Sequence, residues 1–320
     1  MSNNESIYIL NAGSAQSEHD RLNSQHHLFN DIMENDLLPP HIASSLSASP
    51  TPPKILEIAT GTAVWLSEIA KTLAPDAELV GLDFDTSKFP SQSSLPPNIT
   101  LRQANMYEPF ASDLLGRFDV VHVRLITFAL KEGYGIDLAK NLMTLLKPGG
   151  HVVWAETGPV SAHMESMRML QIRIPSHIVT KWHAYTLQLF SSVEPPSLAW
   201  FKFQDLNYRF GKKIGRDLGI PIAMKYYIQQ AGFVDCDDKV HPGAAQLYTH
   251  NGKDWVSRMN EHTRMFTAQS IRGIISLGGV EGMTTEQEGD ELIAQLLEEI
   301  PGRKFSHLFV RAWGTKPTTQ

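Results

Sequence analysis

The residues of this chain with the most evident chemical use lie in a short apolar run and the turn after it, Lys54-Ile-Leu-Glu-Ile-Ala-Thr-Gly-Thr-Ala63. An apolar strand, then small residues, then a helix lets the backbone come close to a ligand and aims free amides at it. Ala59, Gly61 and Ala63 keep that approach open, Thr60 adds a hydroxyl, and Glu57 supplies a carboxylate able to receive an ammonium group through water. Alone, such a turn is only a turn. Further along, Gly81-Leu-Asp83 ends a second apolar run, with Phe84 beside it. A carboxylate placed there can accept both hydroxyl hydrogens of a ribose. A dinucleotide enzyme uses the same device, and a helix-capping Asp looks the same. A third run leads to Gln103-Ala-Asn-Met106, where Asn105 can bond the edge of an adenine and Met106 can cover its face. A plain polar loop reads the same way.

Alternating strands and helices must position these groups. Lys54–Ala59, Glu78–Asp83, Ile99–Ala104, Phe118–Val123 and His151–Glu156 read as apolar strands. Val64–Leu73 and Leu138–Leu146 carry apolar residues at helical spacing, the second stopped by Lys147-Pro-Gly-Gly150. Nearly continuous apolar strands separated by helices predict a parallel α/β sheet. Ser17–Asn30 reads as a helix, and the Ser/Pro-rich stretch Ala43–Pro53 as a linker. The alternation stops near Gly158. A Met- and aromatic-rich region follows, then a helix at Met224–Ala231, a strand entered at Gly232-Phe-Val-Asp, a helix at Glu286–Ile300 and a strand at His307–Trp313.

Composition sets limits on the class. The chain has 320 residues, 42% of them hydrophobic and 19% charged, which suits one large globular domain or a domain with an insertion. The net charge is −6 and no dense Lys/Arg run occurs, so nucleic acid is not an expected partner. No apolar run reaches the roughly 20 residues of a membrane span, and Met1–Leu10 lacks the basic-then-apolar pattern of a secretory leader. Cys236 is the only cysteine, which excludes an intrachain disulfide and Cys-based zinc sites; a reducing, cytoplasmic location is expected. No spaced carboxylate–His cluster argues for a metal.

Taken in order, Glu57–Ala63, Asp83, Asn105, Phe118-Asp119 and Leu146-Lys-Pro-Gly-Gly150 resemble the motif series of the class I S-adenosylmethionine (SAM)-dependent methyltransferases. The resemblance covers about residues 54 to 156. It implies a Rossmann-like sheet of seven strands, the last antiparallel, with SAM as cofactor and Arg124 at the tip of the fourth strand among its contacts. Glu18-His-Asp-Arg-Leu22, Gln25-His26 and Gln230-Ala-Gly-Phe-Val234 extend a looser similarity to fungal natural-product methyltransferases. It implies a helical lid over 1–50, a SAM-binding core over 51–157, a helical substrate cap over 158–221, and completion of the sheet with further cap over 222–320. Ala59 and Ala63 replace glycines common in the family. An alanine is tolerated there if its φ is negative.

The implied reaction is methyl transfer to an oxygen or nitrogen of a hydrophobic small molecule. An in-line displacement needs alignment, exclusion of water and, for some acceptors, a base. Among 13 histidines, His183 is the candidate base, inside Trp182-His-Ala-Tyr185, with Glu156 at the end of the fifth strand as the other candidate. Trp182, Tyr185 and Trp200 are candidate pocket walls, although a small hydrophobic core reads the same way. Two alternatives stay open: a SAM-binding cyclase or isomerase that keeps the methyl group, and a noncatalytic regulator of secondary metabolism. Homodimers are common among capped relatives, and a homodimer is carried as an option without an interface signature.

Overall fold

A computed structural model describes residues 15–159, 193–194, 197–241, 254–305 and 307–318. Its strands are β1 (Lys54–Ile58), β2 (Glu78–Asp83), β3 (Ile99–Gln103), β4 (Phe118–Arg124), β5 (Leu146–Pro159), β6 (Val193–Glu194), β7 (Val234–His241), β8 (Lys304–Phe305) and β9 (His307–Thr315). Its helices are α1 (Ala15–Ile32), α2 (Pro40–Ser47), α3 (Val64–Ala70), α4 (Gly135–Leu145), α5 (Leu198–Lys213), α6 (Ile220–Gln230), α7 (Trp255–Ser276) and α8 (Glu286–Glu299).

Seven strands form one sheet in the order β3-β2-β1-β4-β5-β9-β7. The first five are mutually parallel, and β9 runs antiparallel between β5 and β7. Successive strand residues face opposite ways. Ile55, Leu79, Ile99, Val120 and Val153 therefore pack against α2 and α3 on one face. Leu56, Val80, Val121, Val152 and Trp154 pack against α4 and α6 on the other. A third core joins α1, α5, α7 and α8 through Phe29, Phe203, Met259 and Leu292, and rests on the sheet at Ala155 and Phe309. The strand order reverses direction between β1 and β4, which opens a crevice at their carboxyl ends.

Two expectations need correction. The stretch Ala43–Pro53 is not all linker, because α2 runs through it to Ser47. Pro40 stands in its first turn, where a missing N–H costs nothing, and Ile42 and Leu46 form one buried stripe. Lys147-Pro-Gly-Gly150 does not merely stop α4. It lies within β5 as an irregularity: Leu146 pairs with Phe118, and the next pairing is His151 with Val120. Gly149 has φ of 79°. A Cβ on Gly150 would stand 2.8 Å from the Phe118 carbonyl oxygen and 3.0 Å from that of Lys147. Asp119 clasps this bulge, since its carboxylate pairs with Lys147 and accepts from the Lys54 amide at 2.8 Å. Gly150→Ala is thus expected to cost about 1–3 kcal/mol, read as a lower urea midpoint. An unchanged midpoint would contradict the close backbone approach.

Candidate functional site

The carboxyl ends of β1 to β4 open onto a cavity of about 870 Å³, within the range of small-molecule sites of roughly 300–1,000 Å³. Ala59, Thr60 and Gly61 form its floor, Asp83 and Phe84 one side, Asn105 and Met106 the next, and Arg124 with Leu125 the far side. Leu22, Gln25 and His26 of α1 close over it.

The floor is tightly curled. Ala59, Gly61 and Ala63 all have φ of 55°. The condition of negative φ at the two alanines is therefore not met: both adopt the left-handed conformation that glycine takes freely. The turn has to reverse within a few residues to bring Val64 into α3, and the Thr60 amide is held by the Leu82 carbonyl at 3.1 Å. Each alanine carries about 1–2 kcal/mol of steric strain there.

Asp83 anchors the same turn. One carboxylate oxygen accepts from the Gly61 amide at 2.8 Å and the other from the Asp85 amide at 2.9 Å. Burial raises its pKa above the ordinary value, opposed by those two amides. A carboxylate has about four acceptor positions, so each oxygen retains capacity for a ribose hydroxyl. Asn105 has its amide nitrogen on Glu108 and its oxygen on the Tyr107 amide, an arrangement that shapes the loop beneath Met106.

Glu57 lies below the floor and is 1% exposed. It accepts from Thr60 Oγ1 at 2.6 Å and has Arg124 Nε at 3.6 Å and His122 Nδ1 at 3.3 Å. Burial lifts its pKa to about 7, against the pull of Arg124 and Thr60. His122 is held flat on Trp65, with ring centroids 3.8 Å apart. Glu156 is wholly buried too. It accepts from the Ile126 amide at 2.8 Å, Trp154 Nε1 at 3.1 Å and Thr127 Oγ1 at 2.8 Å, and so ties the segment after β4 to β5. Leu125, at the start of that segment, has φ of 56°.

Trp200 packs on Phe203 and Phe305 in the helical core and does not line the cavity. Its place follows from α5, whose apolar stripe faces α7 and α8. Trp182, His183 and Tyr185 lie outside the described residues. Sequence reasoning did not assign Leu125, Tyr107 or Arg216 to the cavity, and named Leu22, Gln25 and His26 only as lid residues. The lid residues carried a signal in their i, i+3, i+4 spacing. Arg216 comes from the turn after α5 and carried none. The lid is bolted down: Thr62 Oγ1 donates to Asn23 Oδ1 at 2.8 Å, and His19 Nε2 donates to the Lys88 carbonyl at 2.7 Å. Among the described residues no group of His, Cys, Asp and Glu is arranged to hold a metal, and no helix is long and apolar enough to cross a membrane.

The five parallel strands, the reversed β9 and the ribose-ready Asp83 beside a small-residue floor define a class I methyltransferase-type α/β domain. The chain belongs to the methyltransferase domain family, whose model matches residues 25–279. It is similar to N-methyltransferase tcpN of Claviceps purpurea (strain 20.1), 33% identical over 169 residues, or 51% of this chain and 59% of that protein. It is also similar to methyltransferase grgD of Penicillium sp, 36% identical over 191 residues, or 55% of this chain and 63% of that one. The matches thus span about three-fifths of the length of these relatives. Among solved structures, phosphoethanolamine N-methyltransferase 2 of Haemonchus contortus, in complex with SAM, aligns at TM-score 0.38 with 15% identity, over 87% of this chain and 51% of that one. SAM is the cofactor of this domain. The site fits it on its own geometry: the volume and the acceptor capacity left on Asp83.

Two outcomes follow. Ala59→Gly should raise stability by about 1 kcal/mol by relieving the left-handed strain, seen as a higher denaturation midpoint; a lower midpoint would mean that the strain is absent. Burial raises the Glu156 pKa from 4.5 to about 7. Between those values the unfolded chain ionises this group while the folded chain keeps its proton, so the wild type loses stability as pH rises through that window. Glu156→Gln should therefore gain on the wild type by up to about 3 kcal/mol between about pH 5 and pH 8. A pH-independent difference in paired denaturation curves would exclude the effect.

Proposed function

We propose that this chain methylates a nitrogen or oxygen of a hydrophobic small-molecule natural product, with SAM as the methyl donor. The observation that carries the reading is the cavity itself. Besides the floor and Asp83, its lining includes Met106, Tyr107, Phe110, Ala129 and Ile214, so apolar and aromatic surface shares one cavity with the cofactor end. Bound SAM supplies an electrophilic methyl group on a sulfonium.

The protein's own part is to bind, orient and dry the site. Asp83 offers acceptors to a ribose, and the Ala59–Ala63 turn gives the close backbone approach. Asn23 and His19 hold α1 over the cavity and keep water out. Glu156 is fully buried behind the cavity wall and engaged by Ile126, Trp154 and Thr127, so it shapes the wall rather than serving as the base for a substrate. A neutral amine attacks a sulfonium methyl without a general base, which suits this wall and agrees with the N-methyltransferase name of one fungal relative.

The test incubates purified protein with methyl-labelled SAM and a panel of apolar amines and phenols, followed by mass spectrometry. The expected product is heavier by one labelled methyl group. An isomer of unchanged mass, formed only when SAM is present, would replace transfer by the cyclase reading.

A further inference from the structure

We propose that His26 is a dedicated hydrogen-bond donor to the methionyl carboxylate of bound SAM, with its tautomer set by Arg124. This rests on the SAM reading of the cavity and adds a residue to it. His26 lies on α1, is 1% exposed and forms part of the cavity wall. Its Nδ1 is 2.9 Å from Arg124 Nη1. A guanidinium has only donors, so Nδ1 is the acceptor in that bond. A neutral imidazole with an accepting Nδ1 carries its hydrogen on Nε2. That Nε2 is buried and has no hydrogen-bond partner among the described residues.

The ring stays neutral. Burial, then the adjacent Arg124, followed by His27, His122 and Lys71, brings its pKa down to about 2. Arg124 is in turn held by Glu57, whose carboxylate lies at 3.6 Å from Nε. Glu57 adds charge attraction to Arg124 at that distance, Arg124 sets the imidazole tautomer, and the imidazole presents one N–H. That excludes His26 as a general base, since a base needs a free lone pair and Nε2 has none. A buried donor without a partner is destabilising, and a ligand acceptor removes that penalty.

Strand order identifies the acceptor. Asp83 ends β2, and Met106 follows β3, so an adenosine group seated against them covers that side of the crevice. The rest of an extended ligand runs the other way, over the tips of β1 and β4, toward Arg124 and His26. The acceptor group at that end of SAM is its carboxylate, and Arg124 adds a favourable positive charge. Gln25, one residue before His26, lines the same wall and has its oxygen on Arg21 Nη1 at 3.3 Å.

Titration calorimetry with S-adenosylhomocysteine and with 5′-methylthioadenosine, which lacks the amino-acid end, tests this in wild type, His26→Phe and His26→Gln. His26→Phe keeps a ring in the core but removes the N–H, and should weaken S-adenosylhomocysteine roughly 10- to 100-fold. Its affinity for 5′-methylthioadenosine should stay within twofold. His26→Gln, which can place an amide N–H near the former Nε2, should recover most of the loss. Nitrogen-15 correlation spectra of the labelled histidine should show the proton on Nε2 at neutral pH. Equal losses for both ligands, no loss for either, or a proton on Nδ1 would each overturn the proposal while leaving SAM binding intact. A wild type that binds neither ligand would instead overturn the SAM reading on which it depends.

Discussion

Glu57 is a carboxylate placed where water cannot reach it, and much of the site is arranged around that fact. An isolated buried charge costs several kcal/mol, and burial accordingly lifts the Glu57 pKa to about 7. Thr60, by a hydrogen bond, and Arg124, by charge at 3.6 Å, oppose that shift, and they come from different parts of the crevice. Thr60 belongs to the floor and Arg124 to the tip of β4, so one buried group holds two neighbouring strand ends in register. Through His26 the same connection reaches the helix above. Floor, far wall and lid are thus coupled through a short chain of polar contacts rather than through apolar packing alone.

The second organising constraint is strain. Three consecutive odd positions of the floor, and Leu125 across the crevice, adopt left-handed backbone. Such conformations persist only where surrounding contacts overdetermine them. Asp83 and the Leu82 carbonyl do this on one side, and Glu156 with the Ala155 carbonyl on the other. The family motifs at Phe118-Asp119 and Lys147-Pro-Gly-Gly150 serve the opposite end of the sheet, where they lock the β4–β5 bulge to the start of β1. They identify the fold without touching the cavity.

How much of this could be read beforehand depended on range. The parallel strands were legible because apolar runs such as Lys54–Ile58 and Phe118–Arg124 are buried on both faces, a property of composition alone. Asp83 and Gly61 were legible because motif order places them at strand ends. The helix α2 was hidden because Ser and Pro resemble a linker until Ile42 and Leu46 are seen to share a buried stripe. The left-handed φ of Ala59 and Ala63 was hidden because alanine rarely adopts it. Glu57 and Arg124 were both singled out, but their meeting depends on the neighbouring placement of β1 and β4, which a linear reading does not supply. His26 was one histidine among 13 until Arg124 was found at its Nδ1.

The position of β9 bears on how the molecule is made. β9 lies between β5 and β7, and pairs His151 with Thr315, 164 residues later in the chain. At synthesis rates of about 5–20 residues per second, β5 waits roughly 10–30 s on the ribosome for its neighbour. During that time a long apolar strand presents an unpaired edge, the kind of surface that templates aggregation. The nascent sheet is therefore complete only on its β3 side, and the strands that carry the cavity floor and hold Glu156 are in place well before β7 and β9 close the other edge.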